Sequence, residues 1–364
     1  MIQIAGLLHA LIVKKLRKES NMKTTLKLHR TLQALLITGI AVFTLATAHA
    51  AEAPKVTANN YVRAESDLQM KLWIKNMDCF GKFNHNRKPY EEQRVTVRGN
   101  QDTLYSFGVW DLRSPVTVTL PENEGRYQSL MIVNQDHSIW GLYGPKTGTL
   151  TEEKVGSRYV FLALRTFMDP NDEKDMKTAH QLQDAVKVEQ AELGKFDVPD
   201  WKAEEVEQMR ETINVISATV PETSKMFGKK ETLDPVYHML GAALGWGGLP
   251  AEAATYAAVF PEKNDGKTPY TLTAKDVPVD AFWSVTLYDE EGYMPDNEYN
   301  AHSFNNITAK KAKDGSITIH FGGDPKADNF LPIVPGWNYL VRMYKPGPEI
   351  LDGSWIFPAA KAVK

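Results

Sequence analysis

Two regions rich in β-branched and aromatic residues flank a stretch with helical periodicity, and this alternation constrains the fold most. Pro and Gly separate the β-like segments at short intervals, as expected for turns. The segments are residues 94–97, 103–110, 116–120, 126–133 and 158–167, then a strand starting at 270, followed by 281–289, 316–321 and 339–344. Short strands joined by turns are typical of antiparallel sandwiches, so the pattern predicts a mainly β protein with an α-helical middle.

Helices are predicted before and between the β regions. Apolar residues recur every three or four positions, and each stripe is interpreted as core packing. The predicted helices are 61–80 (Leu68, Leu72, Ile74, Met77), a segment opened by Asp169-Pro170, 206–220, a segment from Asp234-Pro235 to Gly247-Gly248, and 250–256.

The strand at 281–289 alternates strictly in polarity. Trp283, Val285 and Leu287 share one face, which is expected to face a core, and Ser284 and Thr286 lie on the other. A second alternating strand places Ile317, Ile319 and Phe321 inside and His320 outside.

Residues 22–50 have the three parts of a secretory signal. Basic residues begin it, an apolar run of about 13 residues follows, and Ala48-His49-Ala50 provides small residues for cleavage. The run is shorter than the roughly 20 residues that span a bilayer, so we expect no stable membrane insertion after cleavage. Residues 1–50 are therefore interpreted as a start codon assigned too early plus a signal peptide.

Charge and cysteine count exclude several function classes. Residues 1–50 hold seven Lys and Arg and one Glu, so the remaining chain has 35 basic and 44 acidic residues. Such an acidic protein is a poor candidate for binding nucleic acid. Cys79 is the only cysteine, which excludes an intramolecular disulfide, and it is interpreted as a buried apolar residue rather than a nucleophile.

Longer motifs stand out along both halves. They are Gly81-Lys82-Phe83, His85-Asn86-Arg87, Asn100-Gln101-Asp102-Thr103-Leu104-Tyr105-Ser106, Gly125-Arg126-Tyr127-Gln128-Ser129, Asn134-Gln135-Asp136-His137, Gly245-Trp246-Gly247-Gly248, Asn264-Asp265-Gly266, Val279-Asp280-Ala281-Phe282-Trp283-Ser284, Asn305-Asn306-Ile307-Thr308-Ala309-Lys310 and Leu351-Asp352-Gly353-Ser354-Trp355. With these motifs the chain resembles a bacterial envelope family in which domain of unknown function 1254 precedes domain of unknown function 1214. Gln101 stands where family members often have Arg.

The resemblance implies an immunoglobulin-like sandwich, a helical insert and a jelly-roll-like C-terminal sandwich. We accordingly expect an N-terminal helix and β-sandwich at 51–168, a helical domain at 169–258 and a C-terminal β domain at 259–364. The resemblance does not indicate a reaction, and the cofactor is unknown.

Polar residues at predicted strand ends form one candidate site. Strand ends on one side of a sandwich converge, so these groups are expected to line one pocket beside an aromatic wall. The candidates are Asp102, His137 and Tyr105 as catalytic residues and Asn100, Asp136 and Trp246 as binding residues. The structural alternatives are a turn cap for Asp102 and core packing for Trp246. Histidine spacing does not indicate a dedicated metal site.

Three functions remain open from the sequence. The first is an exported soluble protein that binds a small molecule or glycan in a cleft between the sandwiches and the helical block. Processing of the bound molecule is included in this alternative. The second is a hydrolase that uses Asp102 and His137. The third is a structural envelope protein that forms a homo-oligomer.

Export predicts cleavage between Ala50 and Ala51. N-terminal sequencing of the protein from a periplasmic fraction should therefore begin at Ala51. A membrane-bound product that retains residues 34–50 contradicts this prediction.

Overall fold

A computed structural model describes residues 53–89, 97–220 and 223–363. The predicted signal peptide and most of the predicted strand at 94–97 lie outside the described residues. Within those ranges no helix combines the length and apolar character that crossing a bilayer requires.

The first sandwich packs a five-stranded sheet against a three-stranded one. Its strands are β1 Asn84–His85, β2 Thr103–Asp111, β3 Val116–Leu120, β4 Gln128–Asn134, β5 Ile139–Tyr143, β6 Lys146–Leu150, β7 Tyr159–Phe167 and β8 Lys187–Gln190. The large sheet has the antiparallel order β1-β2-β7-β4-β5, and the small sheet has the order β6-β3-β8. Trp110, Val118, Ile132 and Leu162 belong to the core between them. Strands β1, β5, β6 and β8 were not predicted from the sequence.

The described residues contain six α-helices, one of which covers the other face of the large sheet and forms a small bundle with two others. The helices are α1 Tyr61–Met77, α2 Glu152–Val155, α3 Glu173–Asp184, α4 Ala203–Ser217, α5 Pro235–Gly245 and α6 Pro348–Leu351, with a 3₁₀ turn at Lys230–Thr232. Helices α1, α4 and α5 share one core, which includes Ala64, Val206 and Leu240. Helix α1 also packs on the sheet through Met70, which lies in one core with Phe107.

The buried face of α1 differs from the predicted apolar stripe. Leu72 is 49% exposed, whereas Glu65 and Asp67 are buried. Arg210 of α4 pairs with Glu65 at 2.9 Å, and the Trp201 indole donates to Asp67 at 2.8 Å. Buried carboxylates are tolerated when they are paired and hydrogen-bonded, so polar partners from other elements decide which face is covered.

The predicted helix at 250–256 is wrong. Residues Ala254–Val259 form strand β9, which pairs along its whole length with a strand near the C-terminus. Cross-strand pairing and burial override local helix preference in such a short segment. Residues 173–190 fold onto the first sandwich as α3 and β8, and β8 pairs with β3.

The second sandwich has eight strands in two four-stranded sheets, as in a jelly roll. Besides β9, they are β10 Tyr270–Ala274, β11 Trp283–Tyr288, β12 Ser303–Asn305, β13 Ile317–Phe321, β14 Phe330–Leu331, β15 Asn338–Tyr344 and β16 Lys361–Ala362. Their orders are β12-β11-β15-β9 and β14-β13-β10-β16, with β13 and β14 parallel. The mainly β fold with a helical middle is thereby confirmed.

Both predicted alternating strands face the core of the second sandwich as expected. Val285 of β11 and Ile319 of β13 are fully buried in it. The opposite face of β11 is buried as well, because Ser284 and Thr286 are turned towards the first sandwich. A polar strand face is thus covered by another domain rather than by water.

The helical middle depends on both sandwiches, and this generates a prediction about residues 169–258. A fragment of these residues loses α1, the partner of α4 and α5, and also loses the strand that pairs with β9. Because isolated helices of this length are marginal, circular dichroism should show a poorly folded chain. A cooperative and stable thermal transition of the fragment contradicts the prediction.

Candidate functional site

The segment Arg98 to Asp102, which leads into β2, lies directly against the second sandwich. The Arg342 guanidinium on β15 donates from Nη2 to the carbonyl oxygens of Arg98 at 2.8 Å and Gly99 at 2.9 Å. The Tyr288 hydroxyl on β11 donates to the same Gly99 carbonyl at 2.6 Å. These bonds pair backbone groups that burial would otherwise leave unsatisfied, so they fix one domain against the other.

Asp102 is a joint between the domains. Its carboxylate accepts from the Ser284 hydroxyl at 2.6 Å and from the Asn305 amide at 3.3 Å, and the residue is almost fully buried. Burial raises the pKa of the Asp102 carboxyl, although the nearby Arg342 charge and these two bonds oppose the shift. Both carboxylate oxygens are therefore occupied by groups of the second sandwich.

A cavity of about 300 Å³ lies beside this joint, where α1 and the two sandwiches meet. Its volume is at the lower end of the range for small-molecule sites. It is lined by Trp73, Arg98, Gly99, Asn100, Tyr105, Phe107, Arg165, Tyr256, Leu340, Arg342 and Tyr344. Of the predicted residues, Asn100 and Tyr105 line this cavity.

Three arginines line the cavity, and none forms an ion pair with the described residues. Arg165 is 8% exposed, and its Nη1 lies 3.9 Å from the Met131 sulfur. Arg342 is 3% exposed and donates to neutral oxygens only. Arg98 is partly buried, and within the described residues its Nη1 atom has no hydrogen-bond partner. The cavity therefore carries buried positive charge without a matching carboxylate in its lining.

Tyr105 and Tyr344 share the amide of Asn100. That amide donates to the Tyr105 hydroxyl at 3.2 Å and to the Tyr344 hydroxyl at 3.0 Å. Burial alone raises the pKa of a tyrosine, but the Arg165 charge and the hydrogen bonds from Asn100 and Arg165 outweigh burial and lower the pKa of Tyr105. Burial raises the pKa of Tyr344 well above its usual value. The cavity thus holds one phenol with a lowered pKa and one with a raised pKa, both next to guanidinium groups.

The other predicted residues form a separate cluster at the β4–β5 turn. His137 is fully buried with φ 57°, and its Nε2 accepts from the Gly247 N–H at 2.9 Å. The Trp246 ring lies 5.9 Å from the His137 ring, centroid to centroid. Asp136 pairs with Arg63 of α1 at 2.7 Å. These contacts attach the helical bundle to the first sandwich.

Strand directions explain why the two groups lie apart. Both β2 and β4 pair antiparallel with β7, so β2 and β4 run in the same direction. Asp102 precedes β2, whereas His137 follows β4. The start of β2 and the end of β4 therefore lie opposite different ends of β7. Six residues of β7 lie between these two positions, which corresponds to about 20 Å. The structure does not bring the six predicted residues into one pocket, and Asp102 and His137 share no partner among the described residues.

The arginines of the cavity were not predicted as site residues, although the sequence contains a signal for them. Arg165 interrupts an apolar run at residues 161–167, and Arg342 interrupts another at 339–344. Charged residues are almost never fully buried unless they are paired, so a lone arginine within a strand buried on both faces is informative. In the described part of the chain, no cluster of three or more His, Cys, Asp or Glu could hold a metal ion.

The buried His137 generates a prediction about stability and pH. Burial, reinforced by neighbouring His238, lowers the pKa of His137 to about 3. Between pH 6.5 and 3 the unfolded imidazole takes up a proton and the folded one does not, so stability is lost as pH falls. From pH 7.5 to 5.5 this single group should account for about 1.4 kcal/mol of lost unfolding free energy.

Urea unfolding at both pH values measures this loss. His137→Gln retains an acceptor for Gly247 but does not titrate, so its stability should fall by about 1.4 kcal/mol less than that of the parent over the same range. An equal loss in both proteins contradicts the prediction.

Comparisons with known proteins agree with this architecture. A family model described as protein of unknown function (DUF1254) matches residues 80–153, and one described as protein of unknown function (DUF1214) matches residues 255–348. No match was found among curated proteins.

Two solved structures share the fold. The VPA0106 protein from Vibrio parahaemolyticus is 20% identical, with a TM-score of 0.63 over 84% of this chain and 98% of that one. An uncharacterised protein from Burkholderia cenocepacia is 16% identical, with a TM-score of 0.51 over 86% of this chain and 92% of that one. The order of the two family matches agrees with the motifs in the sequence, so the resemblance to a DUF1254 domain followed by a DUF1214 domain is confirmed.

Proposed function

We propose that the protein binds a small anionic molecule in the cavity between its two sandwiches. The observation that carries the proposal is the Arg165 guanidinium, which is buried in the cavity wall without an ion-pair partner among the described residues. Burying a charge without a partner is costly, and an anion in the cavity offsets that cost. A guanidinium offers several N–H donors in a fixed plane, which suits carboxylate and phosphate groups.

The charge balance around the cavity supports an anion over a cation or a neutral ligand. Arg98, Arg165 and Arg342 lie in its wall, and no Asp or Glu does so in the described part of the chain. Asp102 is close, but Ser284 and Asn305 occupy its oxygens. Clefts walled by one sign of charge concentrate ligands of the opposite sign.

A neutral glycan fits the cavity less well than a small anion. A sugar needs many hydrogen-bonding groups, and Asn100 is the one amide side chain in the described wall. Its Nδ2 contacts Thr103, Tyr105 and Tyr344, and its Oδ1 accepts from the backbone N–H of Asp102. The other strong donors of the wall are guanidinium groups, and these form stronger hydrogen bonds with an anionic group than with a neutral hydroxyl.

The proposed setting is the periplasm. The signal pattern at residues 22–50 and the acidic character of the chain after cleavage support this setting. There the cavity would meet small solutes of the cell envelope.

The anion site predicts the behaviour of Arg165→Gln. At least one of acetate, benzoate, inorganic phosphate and sulfate should bind the parent protein with 1:1 stoichiometry in isothermal titration calorimetry. Because the variant lacks the buried guanidinium, binding should weaken at least about tenfold, the usual scale of one charged hydrogen bond. The matched control is Arg113→Gln, which removes a half-exposed arginine paired with Asp111 and should bind like the parent.

Thermal unfolding separates lost binding from lost folding. Removing an unpaired buried charge relieves its desolvation cost, so Arg165→Gln should melt at the parent temperature or above it. Absence of binding by all four anions, or equal binding by parent and Arg165→Gln, refutes the proposed function.

A further inference from the structure

We infer that the ligand of this cavity is an aromatic carboxylate, an inference that rests on the proposed anion site and narrows its chemistry. The cavity combines a charged end with flat apolar walls. Trp73, Phe107 and Tyr105 lie along one side, and Tyr256, Leu340 and Tyr344 come from the second sandwich. Such a wall binds a planar apolar body, and the arginines bind its acidic group.

The first wall is one continuous aromatic surface. The Trp73 and Phe107 rings lie 4.3 Å apart, and the Phe107 and Tyr105 rings lie 5.6 Å apart with planes 18° from parallel. Trp73 projects from α1, whereas Phe107 and Tyr105 are alternate residues on one face of β2. An aromatic ligand gains stacking or edge contacts on this surface in addition to the burial of its area.

The charged end adjoins this wall. The Arg165 guanidinium carbon lies 5.2 Å from the centre of the Tyr105 ring, and Arg165 pairs with Tyr105 across β7 and β2. A ligand ring beside Tyr105 therefore places a directly attached acidic group near Arg165. This arrangement matches a carboxylate joined to an aromatic ring without a long linker.

The opposite wall continues the pattern. Tyr256 on β9 pairs with Arg342 on β15 in the strand register. A phenol and a guanidinium therefore lie side by side on this wall, as Tyr105 and Arg165 do on the first. Tyr256 is 38% exposed, and the desolvation of its buried part raises its pKa to about 12, so this phenol stays protonated at neutral pH and can donate a hydrogen bond.

A phosphate group fits the cavity less well than a carboxylate. Phosphate sites usually present several backbone N–H groups from a helix N-terminus or a glycine-rich turn. Here α1 contributes Trp73, which lies in its C-terminal half. Gly99 presents a carbonyl that already accepts from Tyr288 and Arg342. Side-chain guanidinium groups are therefore the main donors of the charged end, and their planar geometry matches a carboxylate.

Titration calorimetry with five probes tests the inference on the purified full chain. The probes are benzoate, cyclohexanecarboxylate, acetate, glucuronate and inorganic phosphate. Benzoate should bind 1:1 and about 3- to 10-fold more tightly than cyclohexanecarboxylate, because the two carboxylates differ mainly in the planar π system that stacks on the wall. Acetate, glucuronate and phosphate should bind more weakly than benzoate.

Variants locate the preference in the cavity. Tyr256→Leu keeps all three arginines but removes one ring of the cavity wall, so the preference for benzoate over cyclohexanecarboxylate should fall by at least half. Tyr299→Leu is the matched control, because Tyr299 is about half exposed and stacks on Phe330 in the second sandwich, and it should leave the preference unchanged. Melting temperatures of both variants show whether each one folds.

The outcomes distinguish failure of the aromatic inference from failure of the proposed anion site. Equal or weaker binding of benzoate than of cyclohexanecarboxylate overturns the aromatic inference and leaves the anion site standing. The same conclusion follows if phosphate or glucuronate binds more tightly than benzoate. If no probe binds, both the inference and the proposed function fail. A benzoate preference that survives unchanged in Tyr256→Leu and in Arg165→Gln places binding outside the cavity and also overturns the inference.

Discussion

The contact between residues 98–102 and the second sandwich is the interaction on which the rest of the structure depends. This segment is continuous with β2 of the first sandwich, yet its carbonyls accept from Arg342 and Tyr288 of the second. Asp102 adds bonds to Ser284 and Asn305. Because these groups are buried and satisfied only when the domains meet, separating the domains would leave several polar groups unpaired. The cavity exists because this contact holds its two walls in place.

The buried arginines differ in how their donors are satisfied, and this difference supports the proposed anion site. Arg342 donates to neutral oxygens and serves the joint, whereas Arg165 contacts the Met131 sulfur and the Tyr105 hydroxyl and has no carboxylate partner among the described residues. A fold selected for stability alone favours apolar residues at such positions. Retention of a costly charge in a cavity wall is typical of a residue kept for binding, and natural proteins often accept such a cost at functional sites.

The Asp136-His137 pair illustrates how a motif that suggests chemistry can have a structural role. His137 occupies a left-handed turn, where its ring accepts from Gly247 and lies beside Trp246. Its depressed pKa keeps it neutral at physiological pH, so it works as a hydrogen-bond acceptor between the sandwich and the helical bundle. Asp136 pairs with Arg63 of α1 and strengthens the same attachment. The pair therefore fastens two layers together.

Local sequence determined half of the described strands and the four longer helices, because side-chain period and turn residues act over a few positions. The alternation of Val285 and Ile319 correctly placed them in the core. Long-range pairing decided what the period could not: β9 replaced a predicted helix, and polar partners buried the charged face of α1. The candidate site was likewise decided by tertiary structure. Strand direction separated Asp102 from His137, and domain packing brought Arg165 and Arg342 together, because only the folded chain fixes which strand ends and faces meet.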